Sequence, residues 1–241
     1  MSVKYRALAC DYDGTLAHDG VVTAATVDAL DRFRASGRHL IMVTGRELPD
    51  LKTVCHVLDR FDLVVAENGA LLYCPNENRT RLLCEPASAE LVRVLRSANV
   101  RPLSVGQAII ATVEPNEVIV LEEIKRLGLE LQVIFNKGAV MVLPTGVNKA
   151  TGLALVLKEI DLSAKAIVGI GDAENDHAFL EMCAIGVAVA NALPTVKERA
   201  DLVTRGARGA GVIELIDRII ATDLAEIRPR PREPQPIAAQ T

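Results

Sequence analysis

Short apolar runs, separated by polar turns, dominate the first third of the chain. Three of these runs, at residues 5–10, 39–43 and 63–66, have no polar alternation and predict buried strands. Residues 23–35 and 47–58 lie between the runs and predict helices, the first with Thr23 as its N-cap. Strands that are apolar on both faces are typical of a parallel sheet covered by helices, so a doubly wound α/β fold is expected.

The middle of the chain shows a different pattern, in which two apolar runs are joined by the short turn Asn136-Lys137-Gly138. This spacing is typical of a β-hairpin, which is antiparallel. The elements predicted here are a helix at 87–97, a strand at 108–113, a helix from 114–116 to about 128, and strands at 130–135 and 139–143. The segment therefore predicts a small α+β layer inserted into the parallel sheet.

The first pattern returns after Pro144. The elements predicted there are a helix at 149–160, a strand at 166–170, a helix at 176–183, a strand at 185–189, and helices at 195–200 and 211–221. We therefore expect a Rossmann-like core formed by residues 1–82 and 146–225, and a cap domain formed by residues 83–145. Residues 226–241 are rich in Pro and Arg and predict a disordered tail or a linker.

Composition narrows the possible partners and the compartment. Of the 241 residues, 50% are hydrophobic, and the net charge of -4 gives no basic field for nucleic acid. No apolar run approaches the roughly 20 residues that a membrane helix needs. The N-terminal apolar stretch is interrupted by Asp11 and Asp13, unlike a signal peptide. The five cysteines include no C-x-x-C pair and predict free thiols. We expect a cytoplasmic protein without membrane or nucleic-acid partners.

The segment Asp11-Tyr12-Asp13-Gly14-Thr15-Leu16 follows the first predicted strand and has the most specific chemistry in the sequence. Two carboxylates this close repel each other, and Mg²⁺, which prefers oxygen ligands, would remove that penalty. One carboxylate could then attack phosphorus while the other transfers protons. A polar loop between a strand and a helix is the alternative explanation.

Three further polar segments occur in the regions predicted to form the core. Thr44-Gly45-Arg46 follows the second strand and offers a hydroxyl and backbone N–H groups to an anion, although an ordinary turn explains it as well. Lys149 begins a predicted helix and would supply a fixed cation, although a solvated lysine is common there. Residues 171–176, Gly-Asp-Ala-Glu-Asn-Asp, follow another strand and offer a further carboxylate to a metal.

In this order, the four segments resemble the four motifs of the haloacid dehalogenase superfamily of phosphohydrolases. The inserted layer resembles the C2-type cap of the Cof-like (IIB) branch, and the segments Glu67-Asn68-Gly69-Ala70 and Ala190-Asn191-Ala192 are similar to segments of that branch. The resemblance covers residues 5–222. It implies a phosphatase that forms an aspartyl-phosphate intermediate.

The resemblance also implies roles for individual residues. Asp11 would be the nucleophile and Asp13 the general acid and base. Thr44 and Gly45 would bind the transferring phosphate. Lys149 would balance the negative charge between nucleophile and phosphate.

The metal implied by the resemblance is Mg²⁺. Its ligands would be Asp11, the backbone carbonyl of Asp13, and Asp172. Asn175 and Asp176 would support these ligands by holding them in position.

The resemblance leaves the substrate open. Arg46 and Asn191 are further candidates to contact it. The expected cap of about 60 residues is small and resembles the caps of archaeal-type phosphoglycolate phosphatases and of the sucrose-phosphate phosphatase group. We therefore expect a small phosphorylated acid or sugar phosphate as substrate. A phosphosugar mutase and a non-catalytic binding module are the alternatives.

Overall fold

The computed structural model describes residues 3–231, which form two β-sheets with helices packed on them. The strands are β1 Ala7–Cys10, β2 His39–Val43, β3 Leu63–Ala66, β4 Leu71–Cys74, β5 Arg79–Leu82, β6 Ser104–Val105, β7 Ile110–Val113, β8 Leu131–Asn136, β9 Ala139–Pro144, β10 Ile167–Gly171, β11 Ile185–Ala188 and β12 Leu202–Val203. The helices are α1 Ala24–Ala35, α2 Leu48–Val54, α3 Ala89–Ser97, α4 Glu117–Leu127, α5 Lys149–Glu159, α6 His177–Met182, α7 Pro194–Arg199 and α8 Gly209–Thr222.

The larger sheet has eight strands in the order β12-β11-β10-β1-β2-β3-β4-β5. The neighbouring pairs from β12 to β3 are parallel, and β1 lies at the centre between β10 and β2. The strands from β11 to β3 are almost entirely buried, because helices pack on the sheet, whereas the short edge strand β12 is partly exposed. The predicted α/β fold with a mostly parallel sheet is confirmed.

One edge of the larger sheet differs from the prediction, since β4 and β5 form an antiparallel hairpin on β3. Residues 79–82 have the sequence Arg-Thr-Arg-Leu and are largely exposed, as an edge strand can be. They therefore lack the apolar run that reveals a strand in sequence. The strand β12 was also missed, because its two residues are too few to form a recognisable apolar run.

The smaller sheet, called the cap sheet below, has four antiparallel strands in the order β6-β7-β9-β8. The predicted hairpin is confirmed, since β8 pairs with β9 over six residue pairs. Its turn contains Lys137 and Gly138, both with positive φ. Helices α3 and α4 pack against each other and share an apolar cluster with the cap sheet.

Each sheet has its own apolar cluster, which agrees with a core and an inserted cap. The domain limits at residues 82 and 146 stay a prediction, as does the tail at 226–241, of which residues 232–241 lie outside the described part.

Helix α2 ends at Val54 and not near Leu58, where a short 3₁₀ turn begins. None of the five cysteines forms a disulfide. Among residues 3–231, no helix combines the length and the apolar character needed to cross a membrane.

Candidate active site

Three neighbouring parallel strands deliver polar residues to one edge of the larger sheet. Asp11 directly follows β1, Thr44 follows β2, and Asp172 follows β10. Because β10, β1 and β2 are adjacent and parallel, their carboxyl ends meet at this edge. All three side chains are buried. The sequence segments thus converge as the strand order predicts.

Lys149, the first residue of α5, lies beneath the acidic residues with only 1% of its side chain exposed. Its Nζ donates to Asp11 Oδ1 and to Asp176 Oδ1, each at 2.6 Å. Burial alone would lower the pKa of Lys149, but the two carboxylates outweigh burial and raise this pKa above its ordinary value. Lys149 is therefore a fixed cation that holds the side chain of Asp11.

Asp176 uses both of its carboxylate oxygens within the protein. Oδ1 accepts from Lys149, while Oδ2 accepts from the backbone N–H groups of Asp172 at 2.7 Å and Ala173 at 2.9 Å. A carboxylate engaged in this way orients its neighbours and has little capacity left for a metal. Asp176 thus lies where the supporting role implied by the resemblance requires it.

The carboxylate of Asp172 is held between the core and the cap sheet. Thr15 Oγ1 donates to Oδ1 at 3.2 Å, and Lys137 Nζ, from the β8–β9 turn, donates to Oδ2 at 2.7 Å. Burial raises the pKa of Asp172, and its hydrogen bond with Lys137 acts in the opposite direction. A cap residue therefore reaches the acidic centre of the core.

Asp11, Asp172 and Asp176 place carboxylate oxygens within 4.8 Å of one another. Burial, reinforced by the Asp176 and Asp172 carboxylates, raises the pKa of Asp11 to about 8, although Lys149 opposes the shift. Such a cluster is short of positive charge, and a divalent cation with a preference for oxygen ligands would supply it. Asp176 accepts three of the hydrogen bonds described above, Asp172 accepts two and Asp11 accepts one, so Asp11 and Asp172 retain more capacity to hold this cation.

Asp13 forms a bidentate ion pair with Arg46. Arg46 Nε donates to Asp13 Oδ2 at 2.6 Å and Arg46 Nη2 donates to Asp13 Oδ1 at 2.8 Å. The third nitrogen, Nη1, donates to Asp50 Oδ2 at 2.5 Å. The guanidinium also lies over the ring of Tyr12, 5.7 Å from its centre. Arg46 therefore orients Asp13, in addition to the substrate contact that was predicted for it.

Thr44 and Gly45 lie at the start of the loop that follows β2. Thr44 Oγ1 accepts from the N–H of Arg46 at 3.1 Å, which fixes the turn. A Cβ on Gly45 would lie 3.4 Å from Asn175 Nδ2, so the backbone at this position is close to the residues after β10. Gly45 and Asn175 both line the cavity of the site, as an anion-binding turn should.

A pair of buried amides lies beside this turn. Asn175 Nδ2 donates to Asn68 Oδ1 at 3.0 Å. Asn175 Oδ1 and Asn68 Nδ2 are buried and have no hydrogen-bond partner within residues 3–231. A buried polar group without a partner is costly, so both atoms are available to a ligand or to water.

Asn191 is the predicted site residue whose surroundings differ most from the expectation. Its Nδ2 donates to the carbonyl of Gly14 at 2.8 Å, and its Oδ1 accepts from the N–H of Arg208 at 2.7 Å. Both ends of the amide therefore bind backbone and connect the loop after β11 to the loop after β1. The contact of Asn191 with substrate stays a prediction.

Glu67 connects the core to the cap, and its role was not identified from the sequence. Its side chain is completely buried and accepts from the backbone N–H groups of Gln107 at 3.0 Å, Ala108 at 2.8 Å and Ile109 at 3.1 Å. A Cβ on Gly106 would lie 2.7 Å from this carboxylate, so a larger residue there would displace Glu67 from its three donors. The signal in the sequence is an acidic residue directly after β3, at the same edge as the other motifs.

Core and cap enclose a cavity of about 320 Å³ above the acidic residues. Its lining residues are Asp11, Asp13, Gly45, Arg46, Glu47, Asp50, Ser104, Ile109, Ala111, Asn136, Ala139, Met141, Lys149, Ala173 and Asn175. A larger cavity, of about 580 Å³, lies near α6 and α7 and contains none of the residues described above. The smaller cavity is the candidate site, because catalysis requires convergent polar groups rather than volume.

Comparison with known proteins shows the family of this chain. The profile of the haloacid dehalogenase-like hydrolases matches residues 8–98 and 105–216. Phosphoglycolate phosphatase 2 of Saccharolobus solfataricus is 32% identical over 223 residues, covering 89% of this chain and 92% of that protein. Phosphoglycolate phosphatase of Methanothermobacter thermautotrophicus is 31% identical over 224 residues, covering 89% and 99%.

A solved structure supports the fold independently. A haloacid dehalogenase-like hydrolase from Bacteroides thetaiotaomicron superposes with a TM-score of 0.77 at 21% identity, covering 89% of this chain and 99% of that one. The family profile and these relatives confirm the resemblance seen in the four sequence motifs. The chain belongs to the haloacid dehalogenase-like hydrolases, and it is a phosphoric monoester hydrolase.

Proposed function

We propose that this protein is a Mg²⁺-dependent phosphatase of 2-phosphoglycolate or a similarly small phosphorylated acid or sugar, acting through an aspartyl-phosphate intermediate. The observation that carries the proposal is the buried contact between Lys149 Nζ and Asp11 Oδ1, at 2.6 Å. One oxygen of Asp11 is fixed by Lys149, which leaves Oδ2 to attack phosphorus. An attacking group held in one orientation loses little entropy in the reaction.

The first step transfers the phosphoryl group to Asp11. An oxygen of the Asp11 carboxylate forms a bond to phosphorus, and the bond between phosphorus and the ester oxygen breaks. Asp13 donates a proton to the departing oxygen, which leaves as an alcohol. The N–H groups around Thr44 and Gly45, together with Lys149, balance the charge on the phosphoryl oxygens.

The second step hydrolyses the aspartyl phosphate. Asp13, now a carboxylate, takes a proton from water as the water oxygen attacks phosphorus. The bond between phosphorus and Asp11 breaks, and inorganic phosphate leaves. The ion pair with Arg46 holds the carboxylate form of Asp13 at the cavity between the two proton transfers.

A divalent cation held by Asp11, the Asp13 carbonyl and Asp172 would neutralise phosphate charge and align the phosphate for in-line attack. The support for this set is the charge deficit of the three buried carboxylates. The supporting contacts from Asp176 and Thr15 keep Asp172 in place. Mg²⁺ is the proposed ion because all the candidate ligands are oxygens.

Two features favour a small substrate. The cavity holds about 320 Å³, which is at the low end of the range for small-molecule sites. Relatives about 30% identical over most of the chain are named phosphoglycolate phosphatases. Convergence of the predicted nucleophile, cation and metal-binding carboxylates argues against the non-catalytic module, and no contact described above favours the mutase.

The test is phosphate release from p-nitrophenyl phosphate, 2-phosphoglycolate and a panel of sugar phosphates, with Mg²⁺ and with a chelator. The wild type and Asp11→Asn are compared, with Asp161→Asn as a control on the exposed turn after α5. We expect turnover that requires Mg²⁺, is absent in Asp11→Asn and persists in Asp161→Asn. Turnover that survives in Asp11→Asn would exclude the aspartyl-phosphate route.

A further inference from the structure

The turn between β8 and β9 brings a lysine of the cap to the acidic centre of the core. Lys137 Nζ lies 2.7 Å from Asp172 Oδ2, and a Cβ on Gly14 would lie 3.2 Å from the same Nζ. Asn136, the preceding residue, lines the cavity and has a buried Oδ1 without a partner in the described chain. The turn is therefore part of the cavity wall, next to the loop that carries Asp13.

Lys137 differs from the two other cations of the site in how its charge is used. Lys149 is shared by two buried carboxylates, and the guanidinium of Arg46 is shared by Asp13 and Asp50. Lys137 contacts one carboxylate among residues 3–231, and 47% of its side chain is exposed. Since an ammonium group has three donors, Lys137 retains hydrogen-bonding capacity for a ligand.

The position of Lys137 relates it to one part of the substrate. Gly14 directly follows Asp13, the residue proposed to protonate the departing oxygen. A cation beside Gly14 therefore lies near the leaving group rather than on the far side of the phosphate. An anionic group one or two bonds from the departing oxygen would then lie on the same side of the phosphate as the ammonium.

We infer that Lys137 is a specificity-determining residue that binds a carboxylate on the leaving group. The enzyme would then select phosphorylated hydroxy acids over phosphate esters of the same size whose leaving group carries no charge. This inference rests on the proposed function and deepens it. A site that provides a charged donor discriminates strongly against an analogue without the acceptor, because the donor is left without a partner.

The test uses two esters that differ in the recognised group alone. 2-Phosphoglycolate carries a carboxylate where 2-hydroxyethyl phosphate carries a CH₂OH group. The measured quantity is the ratio of their kcat/KM values, taken at saturating Mg²⁺ after the Mg²⁺ dependence of each variant is determined. The ratio cancels any general loss that reaches the chemistry through Asp172.

The variants are Lys137→Met and Lys137→Arg. The matched control is Lys125→Met, which replaces an exposed lysine on cap helix α4. We expect the wild type to favour 2-phosphoglycolate, and Lys137→Met to lower the ratio at least tenfold. Lys137→Arg keeps the charge and should retain most of the preference, and Lys125→Met should retain all of it. Circular dichroism confirms that each variant is folded.

Two results would overturn the inference and leave the phosphatase intact. One is an unchanged ratio in Lys137→Met, with or without slower turnover of both esters, which would mean that Lys137 acts through Asp172 alone. The other is a wild type that hydrolyses both esters equally well. A different result, release from p-nitrophenyl phosphate and from neither of these esters, would contradict the proposed substrate itself.

Discussion

Lys149 Nζ and Asp176 Oδ1 lie 2.6 Å apart, and both side chains are almost completely buried. Asp176 also accepts the N–H groups at the start of the loop that carries Asp172. One carboxylate thus fixes both the cation beside Asp11 and the backbone of the proposed metal ligand. Replacement of Asp176 should therefore disturb both the position of Lys149 beside Asp11 and the position of Asp172.

Asp176→Asn is expected to lower kcat/KM about 10–100-fold and to raise the Mg²⁺ concentration needed for half-maximal activity, as is typical when a supporting partner of a metal ligand is lost. The amide keeps the size of the side chain but removes the charge that Lys149 requires. Mg²⁺ titration of phosphate release measures both effects, with Asp161→Asn as the control. Unchanged Mg²⁺ dependence would show that Asp176 does not support the metal site.

Asp11→Asn is expected to stabilise the metal-free protein while abolishing turnover. Burial and the neighbouring carboxylates raise the pKa of Asp11 to about 8 in the folded state, from 3.8. Between these pH values unfolding releases the proton that folded Asp11 retains, so the wild-type free energy of unfolding falls as pH rises. Asparagine has no such proton, so the advantage of the variant should widen from pH 4 to about pH 8.

Thermal unfolding in the presence of a chelator measures this difference. A shift of a few degrees is expected at pH 8, since about 1 kcal/mol moves the midpoint of a domain of this size by about 2–4 °C. Added Mg²⁺ should stabilise the wild type more than the variant. A wild type that is more stable than Asp11→Asn at pH 8 without metal would contradict the charge deficit of the site.

Arg46→Lys should lower kcat about tenfold or more although the positive charge is kept. Arg46 binds Asp13 through two nitrogens and Asp50 through a third, and a lysine ammonium cannot reproduce this planar fork. Steady-state kinetics with p-nitrophenyl phosphate measures the loss. Arg60→Lys, on the 3₁₀ turn after α2, is the control. Equal kcat in wild type and Arg46→Lys would show that charge suffices.

Glu67→Gln should weaken the attachment of the cap to the core. The carboxylate accepts three backbone N–H groups of the cap, whereas the amide of glutamine would place its own donors against some of them. The expected cost is about 1–3 kcal/mol of stability, together with a higher KM. Calorimetry and kinetics measure the two effects, and the exposed Glu77→Gln is the control. A variant with wild-type midpoint and KM would refute the role of Glu67.

The sequence predicted those features that depend on local pattern. The limits of β2 and β3 agree with the apolar runs at 39–43 and 63–66, and helix α1 begins after its predicted N-cap, Thr23. Strand β5 was missed because an exposed edge strand needs no apolar run, whereas β4 is a buried apolar run that was left unassigned. The predicted helix at 47–58 was too long, since helix α2 ends at Val54.

In the site, too, the sequence predicted what depends on local pattern and not what depends on tertiary contacts. Asp11, Thr44 and Asp172 were each predicted to follow a strand, and adjacent parallel strands bring such residues to one edge of the sheet. The partners of individual side chains were not predictable from one sequence. The contacts of Lys137 with Asp172 and of Glu67 with the cap join residues 35 and at least 40 positions apart, and depend on how the cap docks.

The buried Glu67 carboxylate also makes cap docking visible to hydrogen exchange. The amide protons of Gln107, Ala108 and Ile109 are bound by a side chain of the core, so they can exchange with solvent only when that bond opens. Their exchange rates therefore report how often the cap leaves the core, without a label and without substrate. Slower exchange of these three amides on addition of a ligand would identify that ligand as one that holds the cap closed.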